Sequence, residues 1–506
     1  MRLEQASKNI KYTTIAYVMN NILKFVVRLV FVRALPIEYV GINGLLSDLL
    51  IMLSLVELGI GPAIIYSLYN PLVKNDIETI KSLMALFRKA YSYVGTCIIV
   101  GGILILPWLE WFIKDNDIAN VQLFYMVFLL NTGISYFYSY KRSLLIADQK
   151  QYIDSIYQSS GQICLSILQI ITLLLYPCYL VYIGLMLLVT VVENYAISKK
   201  ADQIYPYLKD ASIQTLDGNI KNTIIKNIKA IVIHKFGNIT VFSITNLVLS
   251  KFIGLFAVGL YSNYHMILIT VESFVGQFLM SISASIGNLI VLETDAKKQK
   301  IFKITEFIVA WQAMMVSCGF FVLLNVLIEL WLGREFLLKE NIVCWMIFYS
   351  YLKYMRRAVN VFKDASGLYW NDRYKPVAEA MISLAASVYL TIHYGIVGAI
   401  WGSIISTLLT GFWVEPYVLF NNSICIKLKA YYSDYFKYLV VTLIIAVLNK
   451  WLYGILFSEV TIINFVLGVF LCLVVSNVVW IVLFRKREEM AYLRDVARDK
   501  FGMKFL

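Results

Sequence analysis

Five cationic side chains stand inside apolar stretches of this chain: Lys24 and Arg28 in one, Lys353, Arg356 and Arg357 in another. Lys24 and Arg28 are four residues apart, so a helix places both on one face, and the other three are spaced to share a face as well. A charge at the centre of a bilayer costs about 2.5–3.5 kcal/mol on insertion scales, so such residues face a cavity or a partner. Arginine brings a planar fork of donors that never loses its charge, and lysine brings a point charge. The pair is suited to neutralising a mobile anion. Lys235, near a span end, reads as snorkelling to the interface.

Carboxylates are fewer in these stretches: Asp48, Glu57, Asp154, Glu193, Glu272, Glu306 and Glu379. Glu57 and Glu272 are the deepest. They either pair with the cations or bind a coupling proton or sodium ion, and Arg28 either faces a cavity or pairs with Glu57. Three histidines lie far apart, and seven cysteines are scattered without a C-x-x-C pair, so no metal centre is expected. The D-x-D formed by Asp115-Asn116-Asp117 falls on a short outward loop, and no nucleophile–histidine–carboxylate grouping stands out. The expectation is no enzyme and no cofactor.

These residues need lipid-spanning helices to position them. Of 506 residues, 60% are hydrophobic and 15% charged, with a mean hydropathy of +0.71. A soluble chain carries about 25% charged residues, so lipid is the solvent here. Apolar runs of helix-spanning length without period-2 alternation select an all-α membrane protein over a barrel. About fourteen transmembrane helices are read, at 13–34, 44–69, 91–113, 119–140, 153–176, 178–197, 230–250, 259–290, 305–332, 341–362, 376–394, 396–416, 436–456 and 461–484.

The net charge of +13 would suggest nucleic acid in a soluble protein. Most lysines and arginines instead fall on one side of the membrane, in loops such as Lys297-Lys298 and Arg485-Lys486-Arg487. This positive-inside bias predicts two cytoplasmic termini, and the excess charge meets anionic lipid heads rather than nucleic acid.

The two halves repeat. Lys8-Asn9-Ile10-Lys11 recurs as Lys226-Asn227-Ile228-Lys229, and at the same offset of 218 Val40-Gly41 meets Val258-Gly259 and Ala147 meets Ala365. Six spans separate the copies, so both have the same orientation. The divisions are an N-terminal lobe 1–197, a connector 198–229, a C-terminal lobe 230–420, two added helices in 421–484, and a basic tail 485–506. The second span of each half is expected to be broken, at Gly59-Ile60-Gly61-Pro62 and at Ser281 to Gly287. The cations do not repeat: Arg28 meets Asn246 and Lys24 meets Phe242.

Several segments carry a family resemblance. They are Glu38-Tyr39-Val40-Gly41-Ile42-Asn43-Gly44-Leu45 with Glu57-Leu58-Gly59-Ile60-Gly61, Val258 to Tyr264, Ser283 to Asn288, and Phe362-Lys363-Asp364-Ala365 with Asp372-Arg373-Tyr374-Lys375-Pro376. In order and spacing the chain resembles the oligosaccharide flippases of polysaccharide biosynthesis (Wzx-type O-antigen flippases), within the superfamily of multidrug exporters and the lipid II flippase. The resemblance implies a V-shaped pair of six-helix lobes in the bacterial inner membrane. It also implies alternating-access transport of an undecaprenyl-diphosphate-linked oligosaccharide, with a proton or sodium ion for coupling. Arg28, Lys24, Arg356, Arg357 and Lys353 are then the candidates for the diphosphate, and Glu57 and Glu272 for the ion. Export of a cationic drug is the alternative, though it would favour an acidic cavity. A membrane polysaccharide polymerase is less suited, because the outward loops are too short for its chemistry.

Overall fold

The computed structural model describes residues 2–54, 60–114, 118–209 and 244–501. Among them every regular element is helical. The order is α1 (Arg2–Ala34), α2 (Ile37–Leu53), α3 (Ile60–Lys74), α4 (Ile77–Ile105), α5 (Val121–Ala147), α6 (Gln151–Leu175), α7 (Tyr179–Ile204) and α8 (244–252). It continues with α9 (Leu255–Leu292), α10 (Asp295–Trp331), α11 (Glu340–Ala365), α12 (Lys375–Tyr394), α13 (Ile396–Leu409), α14 (Gly411–Asn422), α15 (Leu428–Leu456), α16 (Ile462–Phe484) and α17 (Glu488–Phe501).

Nine spans among the described residues are long and apolar enough to cross a bilayer by themselves, with α13 and α14 counted as one. The chain is a multi-pass membrane protein. Fourteen is not reached by that measure, for reasons visible in the elements. α2 and α3 have 17 and 15 residues, and α11 carries Lys353, Arg356 and Arg357 in every long window.

Helix boundaries obey the repeat. The starts of α2 and α9 (Ile37, Leu255) are 218 apart, as are those of α4 and α10 (Ile77, Asp295). So are the ends of α5 and α11 (Ala147, Ala365) and of α7 and α14 (Ile204, Asn422). The expected breaks fare differently. Residues 55–59, with Glu57 and Gly59, lie outside the described residues, and α3 begins at Ile60. α9 runs helical through Ser281–Gly287. Serine and glycine lower helix propensity but leave every N–H in place, so small residues alone did not interrupt it.

The interruption in the second half lies instead in its sixth span. At Thr410 (φ −125°, ψ −84°) α13 stops and α14 starts. Pro416 follows inside α14 and has no N–H to offer the carbonyl of Phe412. That carbonyl accepts from Tyr432 Oη of α15 at 3.0 Å instead.

The chain divides into two compact units, Met1–Gly259 and Leu260–Leu506. In the first, α5 packs against α2, α3, α4, α6 and α7, and α1 lies along α6. α4 is capped by Asp76, whose carboxylate accepts from the Thr79 amide at 3.1 Å and hydroxyl at 2.6 Å. These bonds hold the Asp76 carboxyl below its ordinary pKa.

In the second unit α10 is the hub, touching α11, α15, α16 and α17. Phe307 of α10 meets Tyr438, Trp480 and Phe484 at ring separations of 5.4–6.0 Å, which seats the two added helices α15 and α16. Their outer faces expose Leu443, Val447, Phe470 and Val474, as a surface bathed in lipid does. α12 and α13 form a tight hairpin. A Cβ on Gly398 would lie 2.1 Å from the Leu390 carbonyl oxygen, and one on Gly402 2.4 Å from the Ser387 nitrogen. This is the small-xxx-small spacing that lets membrane helices touch by backbone.

Candidate functional site

In the first unit Arg28 sits half-buried on α1 and Lys24, one turn earlier, is exposed. Among the described residues no carboxylate reaches Arg28, and its electrostatic neighbours are the hydroxyls of Tyr182 and Tyr179. Those two rings belong to an aromatic nest. Tyr179 lies 4.8 Å from Phe124 and 4.9 Å from Tyr39, and Tyr182 lies 4.9 Å from Phe31. The buried Tyr179 hydroxyl has no hydrogen-bond partner among the described residues. The partner proposed from sequence for Arg28, Glu57, lies outside them, as do Lys235 and Asp115–Asp117.

A second cationic centre in this unit lies just past the span read at 119–140, in the last turns of α5. Arg142 of α5 bridges Asp154 of α6 at 3.0 Å and Glu193 of α7 at 2.5 Å, and bonds Asn194 Oδ1 at 3.1 Å. Gly161 makes room for Glu193, since a Cβ there would lie 2.6 Å from Glu193 Oε2.

In the second unit the three cations of α11 separate. Arg356 and Arg357 are adjacent, hence about 100° apart around the helix. Arg356 turns toward α12 and α14. Its Nη1 meets Glu379 at 3.0 Å, and its Nη2 and Nε grip Glu415 at 2.6 and 2.9 Å. Lys375 closes the ring, 2.7 Å from both Glu379 and Glu415. Two cations and two carboxylates therefore balance inside the bundle, where any one left alone would be costly. Gly411, the residue after the Thr410 break, makes the space: a Cβ there would lie 2.3 Å from Arg356 Nη2.

Arg357 turns the other way, toward α9. Its Nη1 donates to the main-chain carbonyl of Glu272 at 2.9 Å, its Nη2 lies 3.8 Å from Glu272 Oε2, and its guanidinium sits 4.3 Å over the Tyr354 ring. Its side chain is 29% exposed, against 14% for Arg356. Gly276 admits it, because a Cβ there would fall 1.9 Å from Nη1. Glu272, buried, also accepts from the Ser350 hydroxyl. Lys353, one turn before Arg357, lies 5.5 Å over the Tyr349 ring.

Arg142 and Arg356 correspond, though not residue for residue. Arg356 lies 214 residues beyond Arg142, Glu415 lies 222 beyond Glu193, and Glu379 lies 225 beyond Asp154. Against the 218 register the shifts are −4, +4 and +7, each close to a whole number of helical turns, which keeps roughly the same face. Each half thus has an arginine clamp joining its fourth, fifth and sixth spans. Glu415, Lys375 and the three glycines Gly161, Gly276 and Gly411 escaped sequence reasoning. The signals were the four-residue spacing of Lys375 and Glu379, and a Gly411…Glu415-Pro416 sequence inside an apolar run. The resemblance segment at 362–376 has a structural role as well: Lys363 at the end of α11 pairs with Asp372, both buried.

Residues 6–286 match the family described as polysaccharide biosynthesis protein. The chain belongs to that family. No curated protein sequence matches it. Its fold is similar to that of the lipid II flippase MurJ in an inward-closed conformation, at TM-score 0.66 and 12% identity over 94% of this chain and 98% of that one. It is also similar to an inward-facing multidrug resistance MATE family transporter of the MOP superfamily, at TM-score 0.59 and 12% identity over 79% and 94% of the two chains. For the Vibrio cholerae MATE transporter VcmN the values are 0.57 and 11%, over 84% and 99%. This polysaccharide biosynthesis protein therefore has the flippase-like transporter fold of that superfamily. Among its described residues no group of three or more histidine, cysteine, aspartate or glutamate side chains is arranged to hold a metal ion.

Proposed function

We propose that this polysaccharide biosynthesis protein flips an undecaprenyl-diphosphate-linked oligosaccharide across the bacterial inner membrane for a surface polysaccharide such as O-antigen, capsule or exopolysaccharide. Both termini are then cytoplasmic, and a proton or sodium ion is the coupling partner, with Glu272 and Glu57 its candidate carriers. The observation that carries this reading is Arg357. Its guanidinium is held in place by the main-chain carbonyl of Glu272 at 2.9 Å and an aromatic face, meets the Glu272 carboxylate only at 3.8 Å, remains partly exposed, and keeps further N–H groups for an anion. Lys353 beside it, and Arg28 with Lys24 in the first unit, extend the same chemistry. Arg356 takes the supporting role, since Glu379 and Glu415 already occupy its charge.

The lipid II flippase and the MATE multidrug transporters share the fold, and the charge inventory separates the two readings. Half-buried cations suit a diphosphate and repel a cationic drug. The test is binding to the purified protein of a lipid-diphosphate oligosaccharide, its uncharged lipid-alcohol counterpart, and rhodamine 6G. Tight, salt-sensitive binding of the diphosphate alone, weakened at least tenfold by Arg357→Ala, is the expected result. Preference for rhodamine 6G would overturn the reading in favour of drug export.

A further inference from the structure

Within the second unit, the end of α9, the start of α10 and the C-terminal helix α17 border an open groove of about 620 Å³. Its walls are mainly aliphatic, with Ile286 and Leu289 from α9, Ile304 and Ile308 from α10, and Leu493 and Val496 from α17, while Ser285, Asn288, Glu293 and Thr305 also line it. α17 is otherwise polar, and Arg494 and Arg498 are exposed. Tyr492, Leu493 and Val496 share the side it turns to the groove, so its packing leaves an apolar channel rather than a closed core.

The rim is cationic. Segments 293–303 and 485–498 hold nine basic and five acidic residues. Two of the acids are already engaged, Glu293 with Lys297 at 2.5 Å and Asp295 with Lys298 at 3.1 Å. Lys300 is exposed, within ion-pair distance of no described carboxylate, and lies 5.9 Å over the ring of Tyr492, which lines the groove. Val291 and Leu292 next to this rim are 79% and 78% exposed, a position natural for side chains dipping into acyl chains. An apolar slot under a basic rim at a membrane surface is complementary to one ligand chemistry, an acyl chain beneath a phosphate.

We propose that this groove is a binding site for an anionic phospholipid of the surrounding bilayer, with one acyl chain between α9, α10 and α17 and its phosphate at Lys300 and at Lys297, which shares its charge with Glu293. Tyr492 then lies at the level of the headgroup, where tyrosine is favoured at membrane interfaces. The bound lipid fastens α17 to the bundle, to which α17 otherwise attaches mainly through α10.

The test is native mass spectrometry of the full chain in detergent, titrated separately with phosphatidylglycerol, phosphatidylcholine and undecaprenyl phosphate. Phosphatidylglycerol is expected to be retained over phosphatidylcholine by about fivefold for each engaged lysine. Lys297→Ala with Lys300→Ala should erase that preference. Val496→Trp, or Leu289→Trp from the opposite wall should the first fail to fold, should fill the slot and abolish retention of both phospholipids. Equal retention of the two phospholipids by the wild type, or no effect of a folded tryptophan variant, overturns the proposal. Displacement of phosphatidylglycerol by an equal concentration of undecaprenyl phosphate would also overturn it and make the groove a carrier-lipid site.

Discussion

Gly41 of α2 and Gly259 of α9 make the same contact in reverse. A Cβ on Gly41 would lie 2.1 Å from the carbonyl oxygen of Leu255, and a Cβ on Gly259 would lie 2.6 Å from the carbonyl oxygen of Ile37. Both pairs of positions, 41 with 259 and 37 with 255, are 218 residues apart. The first turns of α2 and α9 thus touch by backbone contact that only glycine permits.

Because the atoms met there are backbone, no side chain can swing aside to admit a methyl group. Gly41→Ala is expected to destabilise the protein by about 1–3 kcal/mol, the range for overpacking a filled site. Gly184→Ala, at a helical position with nothing within 4 Å, is expected to be neutral or slightly stabilising. Thermal unfolding in one detergent compares the two, and equal effects would remove the packing argument.

The clamp around Arg356 gives a prediction of different size. Glu415→Gln leaves Arg356 and Lys375 with a single carboxylate in a buried ring, a change expected to cost about 3–5 kcal/mol. Gly411→Ala should act in the same direction, since the guanidinium can leave only by giving up its carboxylates. Arg142→Ala should destabilise the first unit likewise. Denaturation midpoints within experimental error of wild type for all three would show that the clamps are not structural.

Gly276→Ala separates positioning from stability. The atom in the way is the end of the Arg357 side chain, which can move at small cost in fold stability. The variant is expected to unfold near the wild-type temperature yet bind the lipid diphosphate several-fold more weakly. Weakened folding with unchanged binding would be the contrary result.

Asp76 provides the pH prediction. Its carboxyl is held below its ordinary value by Thr79, so it contributes stability above the unfolded-state value and loses it as pH falls through the depressed one. Asp76→Ala should therefore lower the unfolding temperature at neutral pH and differ little from wild type in strong acid. A gap that stays constant on acidification would deny the cap its charge.

The membrane class, the repeat and its offset were legible because they reside in composition and in residue identity at fixed spacing. The clamps were not. Arg142 and Arg356 are related by shifts close to whole helical turns, which roughly preserve a face in space but cancel no residues in an alignment. Adjacent arginines were read as one group, whereas the 100° step between them sends Arg356 to α12 and α14 and Arg357 to α9. The break at Thr410 was hidden for a similar reason. Glycines and serines in α9 looked more like breakers than the Thr410-Gly411 step, yet α9 keeps its backbone hydrogen bonds and the sixth span of the second half does not. The asymmetry inferred for the cations is also narrower than the sequence suggested: the clamp arginines form a pair, and of the five candidates Arg28, Lys24, Lys353 and Arg357 stand outside it.

The most direct measurement is translocation in reconstituted vesicles carrying a fluorescent lipid-diphosphate oligosaccharide, read as the fraction of label accessible to a membrane-impermeant quencher over time. Wild type is expected to equilibrate the label between leaflets, while Arg28→Ala and Arg357→Ala fall at least tenfold and remain folded. Translocation no faster than in protein-free vesicles, or rates unchanged in both variants, would contradict the account.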